Sequence, residues 1–355
     1  MGEIEPAISA IKIFTLGTFS FLIAFFAAPV LIKFLNKYKL WRNEKREKSI
    51  DGKGIPIFKK FHGEEETKIP RFGGLLIWIT VLILISVFFF LSKFTDIWWL
   101  DKFNFLSRGQ TWLLLFTLIT ASILGLIDDL IQTLGKGKYI AGGLKLTTRL
   151  GVMLLIGLVG GLWFYFKLNW HSFHIPGYGP VGIDGWYVPL FVLTMMATYS
   201  GGVIDGLDGL SGGAFAAMFG SFIAIALFRN QIDIAAFCAA IVGSLLAFLW
   251  YNIPPAKFYM GETGIMGLCA TLTVVTFLTD SVLVLPVIGF LLVLESASVI
   301  VQLVSKKFFN KKVLKAAPIH HHFEALGWPH YQITMRFWII GVVMAIVGFT
   351  IRMLG

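Results

Sequence analysis

The sequence predicts an all-α, polytopic membrane protein with about ten transmembrane helices and both termini outside the cytoplasm. Three observations predict it. Of the 355 residues, 57% are hydrophobic and only 14% charged, with a mean hydropathy of +0.79. A soluble chain of this length has no core large enough to hide so much apolar surface. The apolar residues gather into runs of about 20, the length a helix needs to cross the hydrocarbon layer. Lysine and arginine collect in particular short loops between those runs, the pattern that sets membrane orientation. That division among loops also argues against nucleic acid as the partner behind the net charge of +10.

The first span is expected at 10–34. Met1–Pro6 ahead of it is acidic and lacks the basic region of a signal peptide, so the run reads as a retained helix. Spans at 72–92 and 110–127 follow, the latter ending on Asp128-Asp129. The next are 147–166 and a short one at 188–203, with Pro189 suited to a first helical turn. Runs at 210–228, 233–251 and 263–279 are plain. The run at 281–303 contains Pro286 and Glu295, which suits a kink or an inward-facing polar site. The last span is 334–353, and residues 1–355 read as one membrane-embedded domain. Cys238 and Cys269 lie inside apolar runs and read as small buried hydrophobes.

Basic residues decide sidedness. One set of loops holds those of 33–71, then Lys136, Lys138, Lys145, Arg149, Lys257, Lys306, Lys307, Lys311, Lys312, Lys315 and Arg336. The other side keeps only Lys12, Lys93, Lys102, Arg108, Lys167, Arg229 and Arg352. The first set belongs in the cytoplasm, which puts both termini outside. Asp128, Asp129, Asp205, Asp208, Glu262 and His320–His322 all fall on that cytoplasmic side, although they are far apart in sequence.

Two adjacent carboxylates at 128–129 repel each other at a membrane boundary unless compensated. A hard divalent cation supplies that compensation, and Mg²⁺ prefers a few carboxylates with substrate phosphates. Simple termination of a helix at the interface explains them equally well. Residues 201–213 set Asp205 and Asp208 among glycines, which permit tight turns and close approach to a ligand. Helix packing through small residues accounts for only part of this. Residues 250–264 combine a rigid Pro254-Pro255 bend, Lys257, Tyr259 and Glu262. Glu262 at a helix start is favourable on dipole grounds alone, or is a third acidic group of one site. Tyr259 offers a face on which a planar base can stack.

Pro318–Glu324 carries three of the seven histidines in succession. They cannot all point one way, which disfavours a three-histidine zinc site, but histidine can contact phosphate or relay a proton. Lys306, Lys307, Lys311, Lys312 and Lys315 suit anionic membrane lipids. Arg71, closing the segment from Phe61-His62-Gly63, is placed to reach a phosphate or to anchor the surface, and Glu64–Glu66 read as solvated. On the other side, His171 and His174 stand in a loop that reads as a cover. Carboxylates, glycines, basic groups and histidines at one membrane face suit metal-assisted phosphoryl transfer, in which a metal offsets charge on both partners.

Across almost the whole chain these residues resemble the polyprenyl-phosphate N-acetylhexosamine-1-phosphate transferases, and among them the phospho-N-acetylmuramoyl-pentapeptide transferases. Asp128-Asp129 matches the family's paired aspartates, and Asp205–Leu210 its Asp-Gly-Leu-Asp-Gly-Leu element. Pro318–Glu324 matches the Pro-Ile-His-His-His-Phe-Glu run that separates the muramoyl enzymes from their relatives. Asn252, Pro255, Ala256, Met260-Gly261 and Arg336-Phe337-Trp338 match further segments.

The resemblance implies a dimeric, Mg²⁺-dependent enzyme of the bacterial inner membrane with its site facing the cytoplasm. It would move phospho-MurNAc-pentapeptide from UDP-MurNAc-pentapeptide to undecaprenyl phosphate, yielding lipid I and UMP. It assigns Asp128 or Asp129 to the lipid nucleophile or the metal, and Glu262 to Mg²⁺. Asp205 and Asp208 belong to its catalytic set with His320, His321 and His322, Asp205 helping to hold the nucleotide. Arg71, Gly202, Asn252, Tyr259 and Glu324 would meet substrate, with Tyr259 against uracil.

The chain departs from the family pattern at several positions. Glu262 stands where the family has Asp, Gly202 where it has Asn, Ile204 where it has Thr and Ile265 where it has Ser. Gln132 and Arg149 each replace a lysine, and Ile69-Pro70-Arg71 is closer to the hexosamine-transferring relatives. The rival readings are a transferase of GlcNAc-phosphate or a related sugar phosphate, a transporter, and an inactive cell-wall scaffold. A transporter would place coupling groups near the midplane, where only Glu295 is expected.

Overall fold

The computed structural model describes residues 4–42, 67–95, 98–106, 109–135 and 143–355. The basic residues at 43–66, Phe61-His62-Gly63, Glu64–Glu66, Arg108, Lys136 and Lys138 lie outside the described residues. The described α-helices are α1 Ile4–Lys37, α2 Gly74–Phe94, α3 Trp98–Phe103, α4 Gly109–Thr133, α5 Leu146–Leu162, α6 Tyr187–Ser200, α7 Leu210–Phe228, α8 Ile232–Asn252, α9 Gly261–Leu278, α10 Leu285–Ile288, α11 Phe290–Phe309, α12 Ile319–Ala325 and α13 His330–Met353.

Among the described residues, 9 helices are long and apolar enough to cross a membrane, and a bent pair raises the number to 10. Each of the ten apolar runs in the sequence coincides with one of them. The bent pair is the run holding Pro286, and its halves, Val282–Ile288 and Phe290–Phe309, meet at 78°. Pro286 sits in the first turn of α10, and Gly289 at once ends α10 and begins α11. A proline and a glycine so close together leave the hydrogen-bond ladder free to break there.

Two details differ from the sequence expectation. Helix α4 runs on to Thr133, so Asp128 and Asp129 lie within its last turns, both buried, instead of just beyond its end. The loop carrying His171 and His174 holds a two-stranded antiparallel hairpin, β1 Ser172–Ile175 with β2 Gly179–Gly182. The His174 amide donates to the Asp280 carboxylate at 2.9 Å, fastening this hairpin over one end of the bundle.

That end also gathers the chain's first and last turns. Lys12 pairs with Asp233 at 2.7 Å, Gln231 bonds the Leu278 carbonyl at 2.7 Å, and His174 touches Gly355. The acidic segments and the histidine run occupy the opposite end.

Helix α9 is the axis of the bundle. Every residue of it is buried except Glu262, as expected for a helix apolar on all sides. Glycines let its neighbours approach closely, the usual device where no water drives helices together. A Cβ on Gly125 of α4 would stand 2.5 Å from the Glu262 carbonyl carbon and 2.7 Å from the Thr263 nitrogen. Gly125→Ala is therefore expected to destabilise the protein by about 1–3 kcal/mol, as overpacked cores do. Gly220 of α7 has open space around it, so Gly220→Ala is expected to leave the unfolding temperature in detergent unchanged. Equal melting of the two variants would contradict the backbone contact between α4 and α9.

Candidate active site

The site is assembled on the first turn of α9. The chain enters that helix through Gly261 at φ 73°, a left-handed conformation natural to glycine. A Cβ there would also stand 2.5 Å from Asp129 Oδ2. The first amides of a helix have no acceptor within it and carry the positive end of its dipole. Here they meet two aspartates. Asp129 Oδ1 accepts from the Glu262 amide at 3.2 Å and Oδ2 from the Thr263 amide at 2.9 Å. Asp205 Oδ2 accepts from the Gly261 amide at 3.3 Å, while its Oδ1 accepts from the Ser211 hydroxyl at 2.8 Å.

Asp128, on the neighbouring side of α4, is fully buried and belongs to a different network. Its Oδ1 accepts from the Leu144 amide at 2.6 Å and its Oδ2 from the Gln132 amide at 2.7 Å. Gln132 in turn accepts from Arg42 at 2.7 Å. Arg149 Nη1 lies 3.7 Å from Asp128 Oδ2 and forms a tighter ion pair with Glu262 Oε1. Tyr199 donates to the other Glu262 oxygen at 3.3 Å. Arg71, half-buried, is close enough for its charge to act on both Asp129 and Asp205.

Desolvation holds the Asp205 carboxyl above the usual carboxylate range. Arg71, the Ser211 hydroxyl, the Gly261 amide and His320 each oppose that shift.

The 205–210 loop is braced from three sides. Asp208 Oδ2 accepts from the Ala256 amide at 3.0 Å, and the Thr334 hydroxyl donates to the Asp208 carbonyl at 3.0 Å. Asn252 spans two loops, accepting from the Gly209 amide at 3.0 Å and donating to the Phe258 carbonyl at 2.8 Å. The backbone of Tyr259 pairs with Pro70 at 2.7 Å and Gly73 at 2.8 Å, joining the Arg71 segment to the approach to α9.

The three histidines diverge, as their adjacency requires. His320, fully buried, bonds Glu295 through Nδ1 at 2.9 Å. His321 pairs with Glu324, which also meets His330 at 2.7 Å. His322 Nδ1 accepts from the Lys315 amide at 3.1 Å. His320 therefore faces the 205–208 loop, against Gly206, while His321, His322 and Glu324 bond within their own loop and to the start of α13. Gly202 abuts α9: a Cβ on it would lie 2.5 Å from Ile265 Cγ2. Ile265 thus fills the space that a side chain at 202 would need.

Among the described residues no three His, Cys, Asp or Glu side chains stand close enough together to hold a metal. Mg²⁺ needs fewer protein ligands, because it keeps waters and takes phosphate oxygens. Asp128 and Glu262, from different helices, converge on the single Arg149 nitrogen. Two hard oxygen donors aimed at one cationic point fit such an ion.

Sequence reasoning passed over several residues of this end. Arg149 and Gln132 stood out as departures without their partners being legible. Glu295 was visible as a carboxylate in an apolar run, and Arg42 was one cation among many. A specific polar partner is what distinguishes each, and only the packed chain shows it.

The profile of glycosyl transferase family 4 matches residues 111–280, the stretch from α4 to just past α9. The phospho-N-acetylmuramoyl-pentapeptide-transferase of Geobacillus thermodenitrificans is 34% identical over 339 residues, covering 94% of this chain and 95% of the relative. That of Bacillus subtilis is 32% identical over 94% of this chain and 95% of its own length. That of Lactiplantibacillus plantarum is 34% identical over 92% and 94%. With such similarity running from end to end, this chain belongs to the phospho-N-acetylmuramoyl-pentapeptide-transferase family.

Proposed function

We propose that the acidic cluster at the start of α9 is the active site of this chain and faces the cytoplasm. The chain is an enzyme of peptidoglycan synthesis. It transfers phospho-MurNAc-pentapeptide from UDP-MurNAc-pentapeptide to undecaprenyl phosphate, giving lipid I and UMP. The observation that carries the site assignment is the meeting of three segments at the start of α9, where Asp129 and Asp205 take its first amides and Asp128 shares Arg149 with Glu262.

In the reaction an oxygen of the lipid phosphate attacks the sugar-bearing phosphorus of the donor. The bond from that phosphorus to the bridging oxygen breaks, and UMP leaves with the electron pair. Both partners are anionic, so their approach has to be compensated. In this reading Arg71 meets donor phosphate, and Asp205 and Tyr259 hold the nucleotide. Asp128 orients the lipid nucleophile, and Asp129 keeps the first turn of α9 in place. Mg²⁺, held by Asp128 and Glu262 together with phosphate oxygens, would neutralise the diphosphate. Arg149, which pairs with both carboxylates, would add its positive charge beside the donor phosphates.

The distribution of basic residues among the loops supports a cytoplasmic position for this end of the bundle, with the termini outside. Lys307, Lys311, Lys312 and Lys315, all exposed, suit the head groups of anionic lipids. The lipid acceptor then arrives through the membrane and the nucleotide from water, with neither crossing.

Purified protein in detergent should release UMP only when UDP-MurNAc-pentapeptide, undecaprenyl phosphate and Mg²⁺ are all present. UMP release without the lipid acceptor would contradict the transfer. Activity without vesicles also separates this reading from transport.

A further inference from the structure

We propose that Glu295 is a positioning residue for this site, acting through His320. Its carboxylate fixes the histidine ring so that Nε2 faces the Asp205–Asp208 loop. The inference rests on the functional reading above and deepens it.

The geometry begins with the break in the ninth apolar run. Because α11 starts at Gly289 and turns away from α10 by 78°, its first two turns lie beside the loop that follows α6. The Cα of Leu292 would stand 3.0 Å from a Cβ on Gly201. One turn further along α11 is Glu295. Both Glu295 and His320 are fully excluded from solvent, and they meet through Oε2 and Nδ1 at 2.9 Å. A carboxylate oxygen can only accept, so the proton of that bond sits on Nδ1. In the neutral ring, Nε2 then carries a lone pair.

The other end of the ring is what points to function. Nε2 is buried and has no hydrogen-bond partner among the described residues, and the same is true of Glu295 Oε1. Buried polar atoms without partners are rare and need a reason. A dyad serving only to hold α12 against α11 would gain nothing from leaving both outer atoms unbonded. Nε2 packs against Gly206, where the absence of a side chain lets it come close. The loop it packs against also carries Asp205, whose carboxylate reaches the start of α9. An imidazole backed by a carboxylate, with its far nitrogen bare, is held in one tautomer and one orientation, as a base in a catalytic triad is. Here that nitrogen faces the loop flanking the proposed donor site. The chemistry it can meet is a hydroxyl or a protonated phosphate oxygen of the substrate.

The pairing also accounts for a charge that hydropathy alone leaves unexplained. Glu295 sits in an apolar run where a coupling group of a carrier could stand. Its partner comes instead from a loop following the same helix, on the side of the acidic cluster.

A double-mutant cycle in detergent tests this. Glu295→Gln keeps the shape and removes the charge. It should lower kcat by about ten- to a hundred-fold, the usual effect of losing a residue that orients an active group, and leave KM for the UDP donor within about twofold. In the His320→Gln background the same change should cost nothing further, because its route to the site is gone. Multiplying losses, or an unchanged kcat for Glu295→Gln, would overturn the proposal. Should Glu295→Gln not fold, ¹⁵N-histidine NMR of the unaltered protein decides, with the His320 signal assigned by its absence in His320→Gln. A neutral ring protonated on Nδ1 is expected, and one protonated on Nε2 would overturn the proposal. Inactivity of the unaltered protein with all substrates would instead count against the functional reading, leaving the NMR result as the judge of the dyad.

Discussion

Asp128→Asn should lower UMP release by about a thousand-fold, the scale on which removal of a preorganised electrostatic group acts, while the protein still folds and inserts. The substitution keeps the outline of the side chain and one acceptor for the Leu144 amide. It removes the charge that draws Arg149 to 3.7 Å and that would meet a divalent ion. A thousand-fold loss corresponds to about 4 kcal/mol of transition-state stabilisation. The melting temperature should fall by less than this loss would suggest, since the change creates no cavity, although Nδ2 then faces the Gln132 amide where Oδ2 accepted. Turnover unchanged in Asp128→Asn would remove this residue from the mechanism.

Glu262→Ala is expected to be nearly as severe, and for a different reason. Glu262 is the single unburied residue of α9, and its two oxygens are held by Arg149 and Tyr199. Without it, Arg149 keeps Asp128 as its nearby carboxylate, so the guanidinium closes on the group that should be free for substrate or metal. A loss of about a hundred- to a thousand-fold in kcat is expected, with the Mg²⁺ requirement moved to higher concentration. Glu262→Asp separates the two effects. Its shorter arm keeps a hard oxygen for the ion but draws back from Arg149 and Tyr199. It should retain activity while shifting the Mg²⁺ titration, because Mg²⁺ tolerates little change in ligand geometry. Identical Mg²⁺ titrations for Glu262→Asp, Glu262→Ala and the unaltered protein would show that position 262 does not bear on the metal.

Much of this was legible in the sequence because hydropathy is a long-range average. Ten apolar runs became ten helical segments, and Pro286 marked where one of them breaks. Less legible was where a helix stops when its last turns carry charge. Hydropathy ends α4 at Ile127, yet Asp128 and Asp129 continue it, because the α9 amides and Gln132 satisfy their oxygens. The hairpin at 172–182 escaped for the complementary reason, being too short and too polar to carry a pattern of its own.

The acidic residues of the site were visible one by one, but their pairing was not. Glu262 and Arg149 each read as a departure from a family pattern; in the folded chain they are one ion pair, and Gly202 and Ile265 are likewise one contact. A longer carboxylate with a longer cation, and a bare glycine with a bulkier neighbour, are substitutions that make sense only together. Gly202→Asn alone should therefore clash with Ile265, and it is expected to fold normally only when combined with Ile265→Ser, as thermal unfolding of the single and double variants would show.

The most direct measurement of the central claim is a donor comparison with radiolabelled sugar nucleotides, purified protein, undecaprenyl phosphate and Mg²⁺. Label from UDP-MurNAc-pentapeptide should pass into the lipid phase with an equal quantity of UMP released, and label from UDP-GlcNAc should remain in water. Transfer from UDP-GlcNAc, with UDP-MurNAc-pentapeptide left untouched, would contradict it.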